Sequence, residues 1–284
     1  MGALKIIKPG LMTTLQDRGR HGYAYYAIAT SGVMDTYSAE LANLIVGNDN
    51  NYPVIEFTNI PPVIEFITDG IMALTGAECS YLLNNIPIKI NSPHRIKKGD
   101  ILKGRPFSKG LRGYLAVSGQ IKRNKYLNSM SYHSYPHNDI IKHSLLKKND
   151  IVEWQSETKE ISDLSINIKS TKDNIVKIKP GPEYGYLSQS NKEQLIFQVF
   201  KITPDSNRMG LRLSSLPIIC NKINLDYSVA VFPGIIQLTS SGQLIIILQD
   251  GQTTGGYPRI AYISIKELSR LNQIRISKEI RFSI

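Results

Sequence analysis

The residues best placed to do chemistry lie in four polar, glycine-bearing segments. The first, Asp250-Gly251-Gln252-Thr253-Thr254-Gly255-Gly256-Tyr257-Pro258, follows the apolar run Leu244–Leu248. One amide and two hydroxyls supply donors and acceptors, and paired glycines permit a concave set of backbone N–H groups. That set suits an amide or phosphate ligand; the plainer reading is a hairpin loop rich in turn residues. The second, Asp205-Ser206-Asn207-Arg208-Met209-Gly210-Leu211-Arg212, spaces two arginines four apart. They could face one anion from a loop or from alternating strand positions, with Asp205 orienting Arg208, although an Asp–Arg surface pair is common and contributes little. The third, Thr14-Leu15-Gln16-Asp17-Arg18-Gly19-Arg20-His21-Gly22, packs amide, carboxylate, guanidinium and glycine together. Arg20 could clamp a carboxylate or phosphate through two parallel hydrogen bonds; a charged surface turn with Asp17 paired to Arg18 or Arg20 would explain it equally well. The fourth, Thr30-Ser31-Gly32-Val33-Met34-Asp35, precedes a helix, whose free N–H groups attract anions. A well-capped helix is sufficient to explain this one.

The elements that must position these loops are mostly short strands. Ile71–Thr75, Gly113–Val117, Ile175–Lys179, Leu244–Leu248 and Arg259–Ile263 are rich in β-branched or aromatic residues and bounded by Gly, Pro or Asp. Many short strands with such punctuation indicate β-barrels or sandwiches. Three helices are expected. Asp35 caps one over Thr36–Val46, with Tyr37, Leu41, Leu44 and Ile45 on a shared face. Ser190 with Glu193 makes a capping box for a helix near Gln194–Phe200, and Ser264 with Glu267 does so for Ile265–Leu271. The polar segment Ser156–Thr171 reads as a linker.

Composition narrows the function classes. The 284 residues are 42% hydrophobic and 20% charged, enough to bury a core without disulfides or metal. Cys79 and Cys220 have no CxxC spacing and read as buried free thiols. The formal charge of +11 admits nucleic acid as a partner, but the lysines are dispersed and no aromatic-and-basic repeat accompanies them, so no nucleic-acid binding is expected. No apolar stretch approaches the ~18 residues of a membrane span, and the N-terminus has no signal pattern, which points to the cytoplasm. P-loop, GxSxG and HExxH patterns are absent from the sequence. His133 and His137 are four apart, but Pro136 between them opposes a helix, so no metal site is expected. With no nucleophile–base pair in view, the chain reads as part of an enzyme rather than a self-sufficient catalyst.

Together the loops carry a family resemblance. Pro9-Gly10-Leu11, Thr14 through Arg20, Ser31 through Asp35, Leu41-Ala42-Asn43, Leu74-Thr75-Gly76-Ala77, Tyr114 through Gly119, Ser206 through Gly210 and Gln252 through Pro258 occur in family order. On these motifs the chain resembles the 5-oxoprolinase subunit-C family, also called the biotin-dependent carboxyltransferase or allophanate-hydrolase-subunit-2-like family, which includes KipA. The chain departs from the family's pattern at Met130, where an arginine is usual, at Asp226-Tyr227, where Ser-Glu is usual, and at Gly251, where an arginine is usual.

The resemblance implies a mainly β chain of two cyclophilin-like β-barrel domains with a few short helices, divided as 1–165 and 166–284. It implies a component of an ATP-dependent 5-oxoprolinase, active in complex with a subunit-B-like (KipI-like) partner and possibly a subunit-A-like one. Together they would activate 5-oxoproline, a small amide, for ring opening to glutamate. ATP, with Mg shared with the partner, is the implied co-substrate. Biotin enters only if the chain is instead a urea-amidolyase-like carboxyltransferase component; a third alternative is a non-catalytic KipA-like regulator of a KipI-like kinase inhibitor. The implied catalytic residues are Arg208, Gln252 and Asp205. Substrate or nucleotide contacts fall to Gln16, Asp17, Arg20, Ser31, Asp35, Arg212, Thr253, Thr254, Gly255, Gly256 and Tyr257. On this reading Arg208→Ala removes activity and leaves the fold intact.

Overall fold

The computed structural model describes residues 1–134, 139–156, 174–220 and 225–284. The chain divides into two compact units, one from Met1–Arg20 and Ser31–Lys169, the other from His21–Thr30 and Ser170–Ile284. The boundary expected after residue 165, most of the linker expected over Ser156–Thr171, and His137 lie outside the described residues.

The first unit begins with β1 (Gly2–Lys8), β2 (Thr14–Gln16), α1 (Thr36–Ile45), β3 (Val54–Thr58), β4 (Val63–Phe66) and β5 (Gly70–Glu78). It continues with β6 (Tyr81–Leu83), β7 (Ile86–Ile88), β8 (Pro93–Ile96), β9 (Ile101–Gly104), β10 (Lys109–Val117), β11 (Gly119–Lys122), α2 (Asp139–Lys142) and β12 (Ile151–Ser156). Among the described residues these strands make two sheets, ordered β11-β12-β1-β4-β9-β6-β7 and β2-β3-β10-β5-β8. Leu4, Ile64, Val152 and Trp154 from the first sheet meet Ile55, Leu74, Leu115 and Val117 from the second in one core. Burying each such side chain is worth about 1.5–3 kcal/mol. Gly2, opposite Trp154, lets the indole lie across β1: a Cβ there would sit 2.0 Å from the ring.

The second sheet is covered on its other face as well. Alternate residues of its central strands, Ala73, Tyr114 and Ala116, point away from the first core and pack against Leu41, Ala42 and Ile45 of α1. Asp35 caps α1 by accepting from Ser38 N, as expected. The buried stripe differs from the expected one: Leu41 and Ile45 are inside with Ser38 and Ala42, whereas Tyr37 and Leu44 are exposed. The small residues win because α1 lies close against the sheet.

The second unit contains β13 (Ile175–Pro180), α3 (Gln189–Phe197), β14 (Phe200–Ile202), β15 (Gly210–Ser214), β16 (Val229–Ala230) and β17 (Ile235–Leu238). It ends with β18 (Leu244–Ile247), β19 (Thr254–Gly255), β20 (Arg259–Ile263), α4 (Ile265–Leu271) and β21 (Glu279–Ser283). A closed barrel runs β13-β20-β17-β18-β15-β14-β21, with β16 and β19 as a separate two-stranded ribbon. The mainly β class is therefore observed, and every expected strand forms. Ser264 caps α4 through Glu267 N as expected. The cap of α3 is Ser188, not Ser190, so this helix starts at Gln189 and Phe200 belongs to β14.

Both cysteines are free but only half-buried, not fully buried as expected. Burial still pushes the Cys79 thiol up to about 11, which keeps it protonated and unreactive. Among the described residues no helix is long and apolar enough to cross a membrane.

Candidate functional site

In the first unit the Thr14–Arg20 segment is a seam. Asp17 is not paired with Arg18 or Arg20. Its carboxylate accepts from Gly19 N (2.8 Å), Ser129 Oγ (2.6 Å), Met130 N (2.7 Å) and Ser131 Oγ (2.5 Å). Arg18 pairs instead with Glu40 at 2.6 Å, on the surface. Arg20 is buried, donates to the Ser131 carbonyl, and stacks over the Tyr126 ring at 5.7 Å. The clamp expected of Arg20 is thus engaged with the chain's own 126–131 segment. Met130, at the family's arginine position, is buried in the core.

Gln16 is fully buried; its Nε2 donates to Thr14 Oγ1 (3.1 Å) and Tyr132 O (3.3 Å). Gln16 Oε1 and Ser31 Oγ are buried polar atoms without a hydrogen-bond partner among the described residues. Such atoms are uncommon in folded proteins. They flank the bond from Val33 N to Asp17 O (2.9 Å), where Ser31 and Gly32 both take left-handed backbone angles, φ 56° and 97°. A Cβ on Gly32 would lie 2.9 Å from Asp17 O, so only glycine permits this approach.

The anion anticipated at the α1 N-terminus comes from the chain itself. Glu56 Oε2 accepts from Met34 N at 2.8 Å and from the Tyr114 hydroxyl at 2.9 Å, while that hydroxyl accepts from Asp35 N at 2.8 Å. Arg112 Nη1 stands 3.8 Å from Glu56 Oε1. In register, Thr14, Glu56, Tyr114 and Thr75 form a cross-strand row, all buried under the helix. Burial first, and then the Glu56 charge, hold the Tyr114 phenol well above its ordinary pKa. Asp35 is committed to capping, accepting from Ser38 N and Ser38 Oγ (2.6 Å).

In the second unit Arg208 is oriented by Asp250, not by Asp205. Its Nε and Nη2 reach Asp250 Oδ2 and Oδ1 at 2.8 and 3.1 Å, both side chains being buried, while Asp205 is exposed. Sequence proximity favoured Asp205; the barrel register favours Asp250, because β15 pairs with β18 and brings the residues before one strand to those after the other. Asp250 N donates to Arg208 O at 3.0 Å, closing the contact. Arg212 lies on the exposed side of β15, so the two arginines do not share a face. Truncating Arg208 would leave the Asp250 carboxylate buried without its cation, so Arg208→Ala is expected to cost stability as well as activity.

The loop after Asp250 offers its side chains outward. Gln252, Thr254, Gly256 and Tyr257 are exposed, and Thr253 and Gly255 are half-buried. Its backbone is fixed: Thr253 O accepts from Val231 N, Thr254 and Gly255 pair with Ala230 and Val229, and Tyr257 O accepts from Gln237 Nε2. A Cβ on Gly255 would lie 2.7 Å from Gln237 Nε2. At Gly251 it would lie 2.5 Å from Ile247, so this backbone holds no arginine at the family's position. Gly256 faces open space. At the ribbon's base Arg259 clasps Glu183 (Nη2–Oε1 2.8 Å) and donates to Ala230 O at 2.9 Å. Burial opposes ionisation of Glu183, but the Arg259 hydrogen bonds overcome it and hold this carboxyl below its usual pKa.

The structure thus gathers Arg208 with the 252–257 loop, and Gln16, Asp17, Arg20 and Ser31 around the seam; Asp205 and Arg212 join neither. Sequence reasoning missed Glu56, Arg112, Tyr114, Gln237, Glu183 and Arg259. For Glu56 one signal existed, a carboxylate inside the apolar run Val54–Phe57. Among the described residues no three His, Cys, Asp or Glu side chains converge on a metal position.

Both units are mainly β, and one is a closed barrel carrying an exposed loop of amide, hydroxyl and glycine groups. The chain matches the family model for the carboxyltransferase domain, subdomain A and B, over residues 26–284, and it belongs to that family. It is 33% identical to the subunit-C protein of 5-oxoprolinase from Escherichia coli (strain K12), over 98% of this chain and 90% of that protein. It is 30% identical to urea amidolyase of Saccharomyces cerevisiae over 99% of this chain but 16% of that one. Among solved structures, TTHA0988 superposes with a TM-score of 0.88 at 26% identity, and this chain spans 56% of it.

Proposed function

We propose that the chain is the subunit-C component of an ATP-dependent 5-oxoprolinase, which with a subunit-B-like partner, and a subunit-A-like one where present, activates 5-oxoproline in the cytoplasm. The observation that carries this reading is the end-to-end similarity to a protein named as that component. Ring opening breaks the lactam C–N bond: one water gives its hydroxyl to the carbonyl carbon and its proton to the leaving nitrogen, and the oxygen of a second water ends on the phosphate as ATP is cleaved to ADP. In this scheme Gln252, Thr254 and the Gly256 backbone present donors to the substrate's carbonyl and carboxylate, whose developing charge they offset. Arg208, held by Asp250, anchors the loop. ATP and Mg are taken as shared with the partner.

The test is phosphate release from ATP by this chain mixed with its subunit-B-like partner, with and without 5-oxoproline. Stimulation is expected. Gln252→Ala and Thr254→Val should each lower stimulated release roughly ten-fold or more, with an unchanged unfolding midpoint because both side chains are exposed. Full activity in both variants would remove the loop from the site.

A second reading, a carboxyltransferase component, is favoured by the family's description and by the urea amidolyase similarity. Carboxybiotin would then arrive on another protein. Carboxyl transfer from a separately supplied biotinylated carrier, without 5-oxoproline stimulation, would favour it over the first.

A further inference from the structure

β18 and β20 are both antiparallel to β17, which lies between them, so they run parallel to each other. The loop that joins them must therefore return along one face of β17. That face is covered in consequence, and all four residues Ile235–Leu238 are buried. Two consecutive residues of β17 hold the loop where it enters β20. Leu238 N donates to Pro258 O at 3.0 Å, and Gln237 Nε2 donates to Tyr257 O at 3.2 Å. The first contact is backbone and survives any side chain; the second depends on glutamine.

Gln237 is 1% exposed, and its amide is applied to the loop's backbone at two points. One is Tyr257 O. The other is Gly255, where a Cβ would lie 2.7 Å from Nε2 and 3.6 Å from Oε1, so no larger residue fits at 255 with the amide in place. The β17–β20 register shifts between Ile236 and Gln237, and such irregularities re-aim a side chain. Gly256 stands between the two held residues and differs from Gly255: no atom lies within 4 Å of its Cβ position. The fold thus leaves open space at the residue whose two neighbours it fixes. A buried amide is costly unless bonded, and an apolar side chain would fill the same place without that cost, so barrel packing alone does not call for glutamine.

We propose that Gln237 is a positioning residue for this loop: by fixing Gly255 and Tyr257 it holds Gly256, with its open face, in place for the ligand. This role rests on the reading of the loop as the place where 5-oxoproline is met. Gln237 itself does not touch the substrate. It acts through the loop, where a displacement of about 1 Å is enough to cost about a hundred-fold in rate.

The test uses two variants. Gln237→Met keeps the length and packing of the side chain but cannot donate. In Gln237→Glu burial raises the carboxyl pKa, and only the protonated form can donate to Tyr257 O. Amide hydrogen exchange is first followed on the full chain alone. Gln237→Met should speed exchange in the paired segments 229–231 and 253–255 about five-fold or more, with β15 and β18 unchanged. Phosphate release from ATP is then measured with the subunit-B-like partner over a range of 5-oxoproline. Gln237→Met should lower kcat/KM about ten-fold or more. Its unfolding midpoint should change little, since Tyr257 is exposed and water can reach its carbonyl. Gln237→Glu should recover activity relative to the unmutated protein as pH falls from about 8 to about 6, a rescue that filling space does not give. If Gln237→Met folds poorly, Gln237→Glu compared at the two pH values carries the test. Unchanged exchange in Gln237→Met would overturn the proposal, and so would faster exchange with full kcat/KM. If the unmutated protein shows no stimulation by 5-oxoproline, that substrate reading fails, and the exchange result alone decides whether Gln237 holds the loop.

Discussion

The tetrapeptide Val-Ile-Glu-Phe occurs twice, at Val54–Phe57 in β3 and at Val63–Phe66 in β4, and its two copies have different fates. In β3 all four residues are buried; in β4 burial alternates, and Glu65 is half-exposed opposite Lys5. Local sequence is identical, so the cause lies in what covers each sheet. β3 sits between the shared core and α1, and β4 has cover on one face only. A carboxylate on a twice-covered strand must find internal donors, and Glu56 finds Met34 N, Tyr114 and Arg112. The second unit repeats the contrast with cations: Arg208 is buried and doubly bonded to Asp250, while Arg212, four residues on, is exposed.

The contrast can be broken by mutation. The largest effect is expected for Glu56→Ala, which removes the carboxylate facing buried Arg112 and the acceptor of the Tyr114 hydroxyl; a loss of about 4 kcal/mol should appear in denaturant unfolding. Next, Arg208→Ala should cost about 3–4 kcal/mol by leaving Asp250 buried and unpaired, while Arg212→Ala stays within about 0.5 kcal/mol. Equal effects at 208 and 212 would contradict the ion pair.

Glu183 gives a smaller effect that depends on pH. Its folded pKa lies below its unfolded value, so its contribution is fully present above the ordinary carboxylate range. It is lost as pH falls through the lowered value. Glu183→Gln should flatten the acid limb of the stability curve, and an unchanged limb would show that the Arg259 clasp carries no stability. Smallest is Glu65→Ala, under about 1 kcal/mol, the scale of a cross-strand charge pair. A Glu65 loss matching that of Glu56 would mean that sheet cover does not decide the difference.

Much of this architecture is legible in the sequence. β-branched and aromatic residues bounded by Gly, Pro or Asp marked the strands Ile71–Thr75, Gly113–Val117 and Arg259–Ile263, and side-chain caps marked the starts of α1 and α4. These signals work because strand propensity, turn chemistry and cap chemistry act over a few residues. Family motifs located the polar loops for the same reason, since each is contiguous. The α3 cap was misread because serines stand at both 188 and 190; Ser188 accepts from Asn191 N and caps the helix, while Ser190 lies in its first turn.

The rest required the tertiary structure. Sequence alone determined a β-rich chain with loops of amide, hydroxyl and arginine groups. It did not determine that Asp17 is taken by Ser129 and Ser131, that Asp250 rather than Asp205 holds Arg208, or that Gln237 meets Gly255 and Tyr257. Each of these depends on strand register and on which face is covered. Side-chain pairing between distant segments is set there, by the geometry of the folded sheets, and leaves no periodic trace in the chain.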